Sequence, residues 1–229
     1  LGLDYAHSVN DDHGRPLNII HRDVSPQNIL ISRHGEVKLV DFGIAKANTL
    51  SNKTRAGVIK GKLVYMAPEQ AWGDPVDLRA DIFSTGVVLY EAITGATLYQ
   101  EKNPVKLLEI VRKADIPRPS IRKPGLTKDL DALIMKALAV RPLDRFQTSR
   151  EFASAIREML GKIAPSFTDE QLGSLVETTL AYLKSKQKAE TIADPSAPPM
   201  ERSDYIHHES SIIFQAAEML SAKPADAKR

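Results

Sequence analysis

At 229 residues, with 42% hydrophobic and 26% charged residues, the chain has the length and composition of one substantial globular domain with additions. A formal net charge of +2 gives no strong pull toward nucleic acid or an anionic membrane surface. The absence of cysteine excludes disulfides and thiolate metal sites, which fits a cytoplasmic setting, and no apolar run approaches the length that spans a bilayer. The first residue is Leu1 and no signal peptide precedes it, so the expectation is a chain cut from something longer.

Leu1 to Val9 has the apolar spacing of the end of an amphipathic helix, with Leu1, Leu3, Tyr5 and Ala6 near one face. Asn10 to Pro16 is polar and contains Gly and Pro, which predicts a loop. Ile19 and Ile20 then lead into the stretch around which the chain is organised, HRDVSPQNILISRHGEVKLVDFG, from His21 to Gly43. Ile29 to Ser32 and Glu36 to Val40 alternate apolar residues at period two, and Ser32-Arg33-His34-Gly35 supplies a turn. A tight hairpin would bring Asp23 and Asn28, just before its first strand, close to Asp41, just after its second. Three oxygen-bearing side chains then converge on one small volume. Hard cations such as Mg2+ choose oxygen ligands of this kind, and a further carboxylate beside the metal could orient a hydroxyl nucleophile.

From Ile44 to Met66 the sequence turns polar and rich in Ser, Thr, Lys and Gly, either a surface loop or a regulated segment. Asp77 to Gly95 reads as a largely apolar, buried helix ending at a left-handed glycine cap. Asp81 inside it needs a partner or hydrogen bonds to be tolerated. Asn103-Pro104 opens another helix and Thr127 caps a third, running through Leu130, Leu133, Ile134, Ala137 and Leu138. Thr148 with Glu151 makes a capping box for a fourth, expected to end at Gly161. Thr168 with Gln171 caps one more amphipathic helix, to about Lys188. Ala193 to Ser203 carries three prolines and reads as a linker, and Ser210 to Ala222 could form a short helix before a charged end. His207 and His208 are adjacent, point apart on a helix, and read as a surface pair. No internal repeat is present.

Three marks occur in order: His21-Arg22-Asp23 with Asn28, then Asp41-Phe42-Gly43, then Ala67-Pro68-Glu69. They resemble the catalytic-loop, metal-binding and activation-segment signatures of protein kinases, and most closely those of bacterial Ser/Thr kinases. The resemblance covers the larger, C-terminal lobe, residues 1–161, followed by an additional helix over 162–190 and a linker with a short helix or tail over 191–229. It implies a mainly helical fold with a small β-hairpin at the catalytic cleft. It also implies that Asp23 accepts or orients the proton of a protein hydroxyl, while Asn28 and Asp41 hold Mg2+, which bridges the phosphates of ATP. Leu30 would lie under the adenine, and His21 and Phe42 would stack in the apolar column behind the site. Asp81 would hold the backbone of the His21-Arg22-Asp23 loop, and Glu69 would pair with Arg145. Arg22 would be the cation that receives a phosphate on the activation segment, with Thr54 the preferred acceptor over Thr49 and Ser51.

Two positions depart from the family pattern. Ser25 stands where most Ser/Thr kinases carry Lys, and Lys62 stands where they carry Thr after a glycine, here Gly61. In the family fold those positions approach one another, so Lys62 is expected to bring the cation back toward the γ-phosphate. Gln27 replaces a common Glu and removes one carboxylate that favours basic substrates. The sequence also contains no Gly-rich phosphate loop and no Val-Ala-Ile-Lys strand. Those parts belong to the N-terminal lobe, expected upstream, and without them this chain should bind ATP poorly. The leading expectation is a Ser/Thr protein kinase catalytic segment that uses ATP and Mg2+ on a protein substrate. The alternative is a truncated, non-catalytic interaction module.

Overall fold

The computed structural model describes residues 2–42 and 63–193, with side chains described as far as residue 185. The expectations for Gly43, Thr49, Ser51, Thr54, Gly61 and Lys62, and for the linker and tail beyond residue 193, lie outside the described residues. Within them the fold is mainly helical with one two-stranded antiparallel sheet, as the sequence predicts.

Helix α1 (Gly2–Ser8) leads through a polar turn to the loop that starts at His21. A short 3-10 turn over Pro26–Asn28 feeds β1 (Ile29–Ile31), which pairs with β2 (Val37–Leu39) in the register Ile29 to Leu39. The turn between them closes through Ser32, whose hydroxyl accepts the amides of His34 and Glu36, and Gly35 takes the left-handed φ of 79° that the reversal requires. Both strands are shorter than the alternating pattern suggests, because a pairing left with one free face gives the outer residues nothing to pack on. Leu30, Ile31 and Val37 are exposed at 53%, 39% and 57%. Tyr5 also differs from expectation: Ala6 is the buried residue of α1, and Tyr5 points outward at 74% exposure.

The core is built on α3 (Arg79–Thr94), which follows the short helix α2 (Pro68–Trp72). Ala80, Ile82, Phe83, Val87 and Tyr90 of α3 are wholly buried. Their neighbours come from α4 (Pro104–Lys113), the single-turn α5 (Pro119–Arg122), α6 (Lys128–Ala137) and α7 (Ser149–Ile163). Gly86 permits the close crossing of α3 and α6. A methyl group there would sit 3.0 Å from Ala137 Cβ. The caps fall where the sequence places them: Asn103 Oδ1 accepts from Val105 N and Lys106 N, Thr127 Oγ1 from Leu130 N, and Thr148 Oγ1 from Glu151 N. Glu151 reaches back to the amide of Gln147, at 2.8 Å. Helix α7 continues past Gly161 to Ile163, since a single exposed glycine costs a helix only about 1 kcal/mol.

The last described helix is α8 (Asp169–Ala193), which runs beyond Lys188 into the stretch expected as linker. Thr168 and Gln171 form its capping box reciprocally, Thr168 N donating to Gln171 Oε1 at 3.0 Å and Gln171 N to Thr168 Oγ1 at 3.3 Å. Its first turns lie directly on the hairpin turn. A methyl group on Gly173 would collide with Arg33 O, and one on Gly35 with Asp169 O. Two glycines therefore let the backbones of α8 and the hairpin meet.

Candidate active site

The loop from His21 to Asn28 is held from below by one carboxylate. Asp81, wholly buried in the first turn of α3, accepts the amide of His21 through Oδ2 and the amide of Arg22 through Oδ1, both at 2.8 Å. Oδ2 also meets His7 Nε2 at 2.8 Å. Three donors on one buried carboxylate answer the desolvation that an isolated Asp would suffer. They also hold Arg22 at φ 62°, a left-handed conformation that costs a non-glycine residue of order 1–3 kcal/mol.

From that anchor the loop is fixed by short-range bonds. Asp23 N donates to His21 Nδ1 at 3.3 Å, and Asn28 Nδ2 donates to Asp23 O at 2.7 Å. The buried Asn28 is thereby tied to the residue five before it. Ser25, 5% exposed, sits in extended backbone ahead of the 3-10 turn, and its carbonyl accepts Asn28 N at 3.0 Å.

The hairpin then returns the chain to the same place. Val40 N donates to Asn28 O at 2.9 Å, and His21 Nε2 meets Val40 O at 2.9 Å. Asp41 follows immediately, exposed and at φ 58°, and Phe42 packs against His21 in a tilted contact, ring centroids 4.5 Å apart and planes at 49°. Asn28 and Asp41 thus emerge side by side from the open end of one hairpin, next to Asp23. Leu30, the second residue of β1, is also exposed. A buried amide locked through its nitrogen keeps its oxygen as the atom able to ligate, and Asp41 adds an exposed carboxylate. That donor set suits Mg2+, which takes one or two protein carboxylates alongside substrate phosphates.

The segment that begins again at Leu63 closes onto this loop. Gln70 Nε2 donates to Arg22 O at 3.3 Å while its Oε1 accepts Ala67 N at 3.0 Å. Tyr65 Oη donates to Glu91 Oε2 at 2.7 Å, and Glu91 Oε1 accepts Leu98 N at 2.8 Å. Burial pushes the Glu91 carboxyl above its ordinary range, and pushes Tyr65 up as well, with the Glu91 charge adding to the effect. Glu69 meets Arg145 in a bidentate pair, 2.7 Å on each side. Arg145 spends its remaining donors on the carbonyls of Ala139, Arg79 and Val140 at 2.8, 2.9 and 2.9 Å, so all five N–H groups are satisfied.

Of the residues singled out from sequence, the structure brings His21, Arg22, Asp23, Ser25, Asn28, Asp41, Phe42 and Asp81 together. Leu30 sits at their rim, and Glu69 and Arg145 lie in the adjoining clasp. Sequence reasoning missed His7, Tyr65, Gln70, Glu91 and Ser149, which support this arrangement. Only Gln70 carried a legible signal, the third helical position after Ala67. The others are single polar residues in apolar surroundings, and no local pattern marks their partners far along the chain.

Comparison with known proteins points the same way. The family model for the protein kinase domain matches residues 1–159. The chain is 44% identical over 161 residues to Tyrosine-protein kinase MasK of Myxococcus xanthus, covering 70% of this chain and 25% of that protein. It is 39% identical over 208 residues to Serine/threonine-protein kinase PknB of Mycobacterium tuberculosis, covering 88% of this chain and 31% of that protein. Against PknB of Mycobacterium leprae the identity is 44% over 162 residues, covering 69% and 26%. The chain therefore spans about a quarter to a third of the length of these relatives. No helix among the described residues is long and apolar enough to cross a membrane. With its family match over most of its length and its loop, hairpin and clasp in the order described, the chain belongs to the protein kinase family.

Proposed function

We propose that this chain is the catalytic lobe of a Ser/Thr protein kinase and transfers the γ-phosphoryl group of ATP to a protein hydroxyl. The observation that carries the reading is the hairpin's open end. The Asn28 O to Val40 N bond sets Asn28 and Asp41 beside each other, and the Asp81-held loop adds Asp23 to them. Phosphoryl transfer asks little covalent chemistry of a protein and a great deal of positioning and charge neutralisation. Asn28 and Asp41 would hold Mg2+, which when bound neutralises charge on the phosphate oxygens. Asp23 would orient the attacking hydroxyl and receive its proton on the carboxylate as the new P–O bond forms. Leu30 would supply apolar floor for the adenine, and His21 with Phe42 would keep the loop and the metal-side residues in one rigid unit.

Three further assignments accompany this reading. Lys62 would take the part of the lysine that Ser25 replaces, giving a cation at the γ-phosphate. Arg22 would receive a phosphate on Thr54. An N-terminal lobe with a Gly-rich loop and strand lysine would close the cleft, and without it water weakens every electrostatic contact there. The use of ATP and the lack of cysteine suit a cytoplasmic location. The PknB relatives carry the Ser/Thr designation and MasK the tyrosine one, so acceptor identity is tested directly. The lobe joined to its N-terminal partner is incubated with labelled ATP, Mg2+ and mixed protein substrates, and the phosphoamino acids are identified. Phosphoserine and phosphothreonine are expected, and phosphotyrosine alone would overturn the Ser/Thr reading. In the 229-residue chain alone, calorimetry should show weak ATP binding. Lys62→Ala and Lys62→Arg should both lower turnover, and undiminished rates in both would remove Lys62 from the site.

A further inference from the structure

Behind the catalytic loop lies a chain of buried polar groups that joins three helices. Ser149, 9% exposed in the first turn of α7, has its Oγ 3.0 Å from His7 Nδ1 on α1. His7 Nε2 stands 2.8 Å from Asp81 Oδ2 on α3, and these side chains are 5% and 0% exposed. Asp81 in turn holds the amides of His21 and Arg22. We propose that Ser149 and His7 are positioning residues for the catalytic loop, the Ser149 hydroxyl fixing the His7 ring so that it completes the donor set on Asp81.

The direction of each bond follows from what the groups can do. A carboxylate only accepts, so Nε2 must carry a proton; the other neutral tautomer would aim a lone pair at Asp81 Oδ2 across 2.8 Å. In a neutral ring so protonated, Nδ1 is the acceptor and the hydroxyl of Ser149 donates to it. Removing the hydroxyl leaves Nδ1 as a buried acceptor without a partner, and the ring is free to rotate or exchange tautomer. Asp81 then loses one of three donors, and the left-handed Arg22 peptide loses part of what holds it. A side chain at the start of α7 thereby sets the loop that carries Asp23. The inference deepens the phosphotransfer reading, but its readout needs no nucleotide, so the two can fail separately.

The test is nitrogen NMR of the histidine rings together with amide hydrogen exchange, on the 229-residue chain and on Ser149→Ala and Ser149→Thr. The native spectrum decides first: a neutral ring protonated at Nε2 and hydrogen-bonded at Nδ1 is expected. A ring protonated at Nδ1 alone, or doubly protonated at neutral pH, overturns the assignment. Ser149→Ala should abolish the hydrogen-bonded Nδ1 signature and speed exchange of the His21 and Arg22 amides by roughly fivefold, the weight of one net hydrogen bond. Ser149→Thr, which keeps the hydroxyl, should restore both. Unchanged exchange at those two amides overturns the proposal. So does a uniform acceleration that includes α6, because it would make Ser149 a contributor to general stability only.

Discussion

Removing the guanidinium of Arg145 should be the most damaging single change in the helical core. Arg145 is 1% exposed, and Arg145→Met fills much of its volume while deleting five donors. Glu69, 8% exposed, would be left as a buried charge with no cation, and the carbonyls of Arg79, Ala139 and Val140 would lose a partner each. Breaking a buried pair from one side costs about 3–5 kcal/mol, against a total stability of about 5–15 kcal/mol for a domain of this kind. At a urea dependence of about 2 kcal/mol per molar, the midpoint should fall by roughly 2 M. Glu69→Gln combined with Arg145→Met removes the stranded charge and should regain about half of the loss, so the cycle is strongly non-additive. Urea unfolding followed by circular dichroism, on the 229-residue chain, measures all four corners. A loss below about 1 kcal/mol in Arg145→Met, or simple additivity, would refute the argument that burial makes this pair decisive.

Other changes separate the remaining supports. Gly173→Val should push α8 off the hairpin turn, since even a methyl group would collide with Arg33 O; limited proteolysis should then release the region after residue 163 while the helical core stays resistant. Glu91 gives a pH signature. Its folded carboxyl is raised above the ordinary 4.5 by burial, so its contribution is fully present below that pH and is lost as pH rises through the higher folded value. Glu91→Gln, whose Oε1 can accept from Leu98 N while its Nε2 donates to the Tyr65 hydroxyl oxygen, should therefore gain stability relative to the native chain between acid and neutral pH. A parallel pair of pH–stability curves would show that Glu91 carries no such burden. Gly35→Ala combines a left-handed φ of 79° with a collision at Asp169 O, and should lower the thermal midpoint more than Gly14→Ala, where φ is 76° and the space is open.

The site was legible because its parts lie close in sequence. His21 to Phe42 is one loop and one hairpin, and period-two alternation with a four-residue turn is enough to bring its ends together. The caps at Asn103, Thr127, Thr148 and Thr168 were legible for the same reason: each bond closes within three residues. What holds the site in place was legible only in part: Asp81 under the loop and the Glu69–Arg145 pair were expected, whereas His7 and Ser149 were not. His7 lies 74 residues from Asp81 and 142 from Ser149, yet the three share one row of hydrogen bonds. Nothing about a lone His on a short helix says which of its ring nitrogens will face a carboxylate. Likewise the exposure of Tyr5 and the shortness of β1 and β2 depend on which neighbours cover each face, and pattern alone does not carry that.

The central claim is that Asp23, set beside Asn28 and Asp41, handles the proton of a phosphoryl-accepting hydroxyl. The direct measurement is transfer of labelled γ-phosphoryl from ATP with Mg2+ by this chain joined to the N-terminal lobe proposed above, native against Asp23→Asn. Asp23→Asn keeps the backbone bonds to His21 and Asn28 but cannot take the proton. The account predicts a fall in turnover of about 10²–10⁴-fold, the span of a positioned general base. Transfer by Asp23→Asn at the native rate would contradict it.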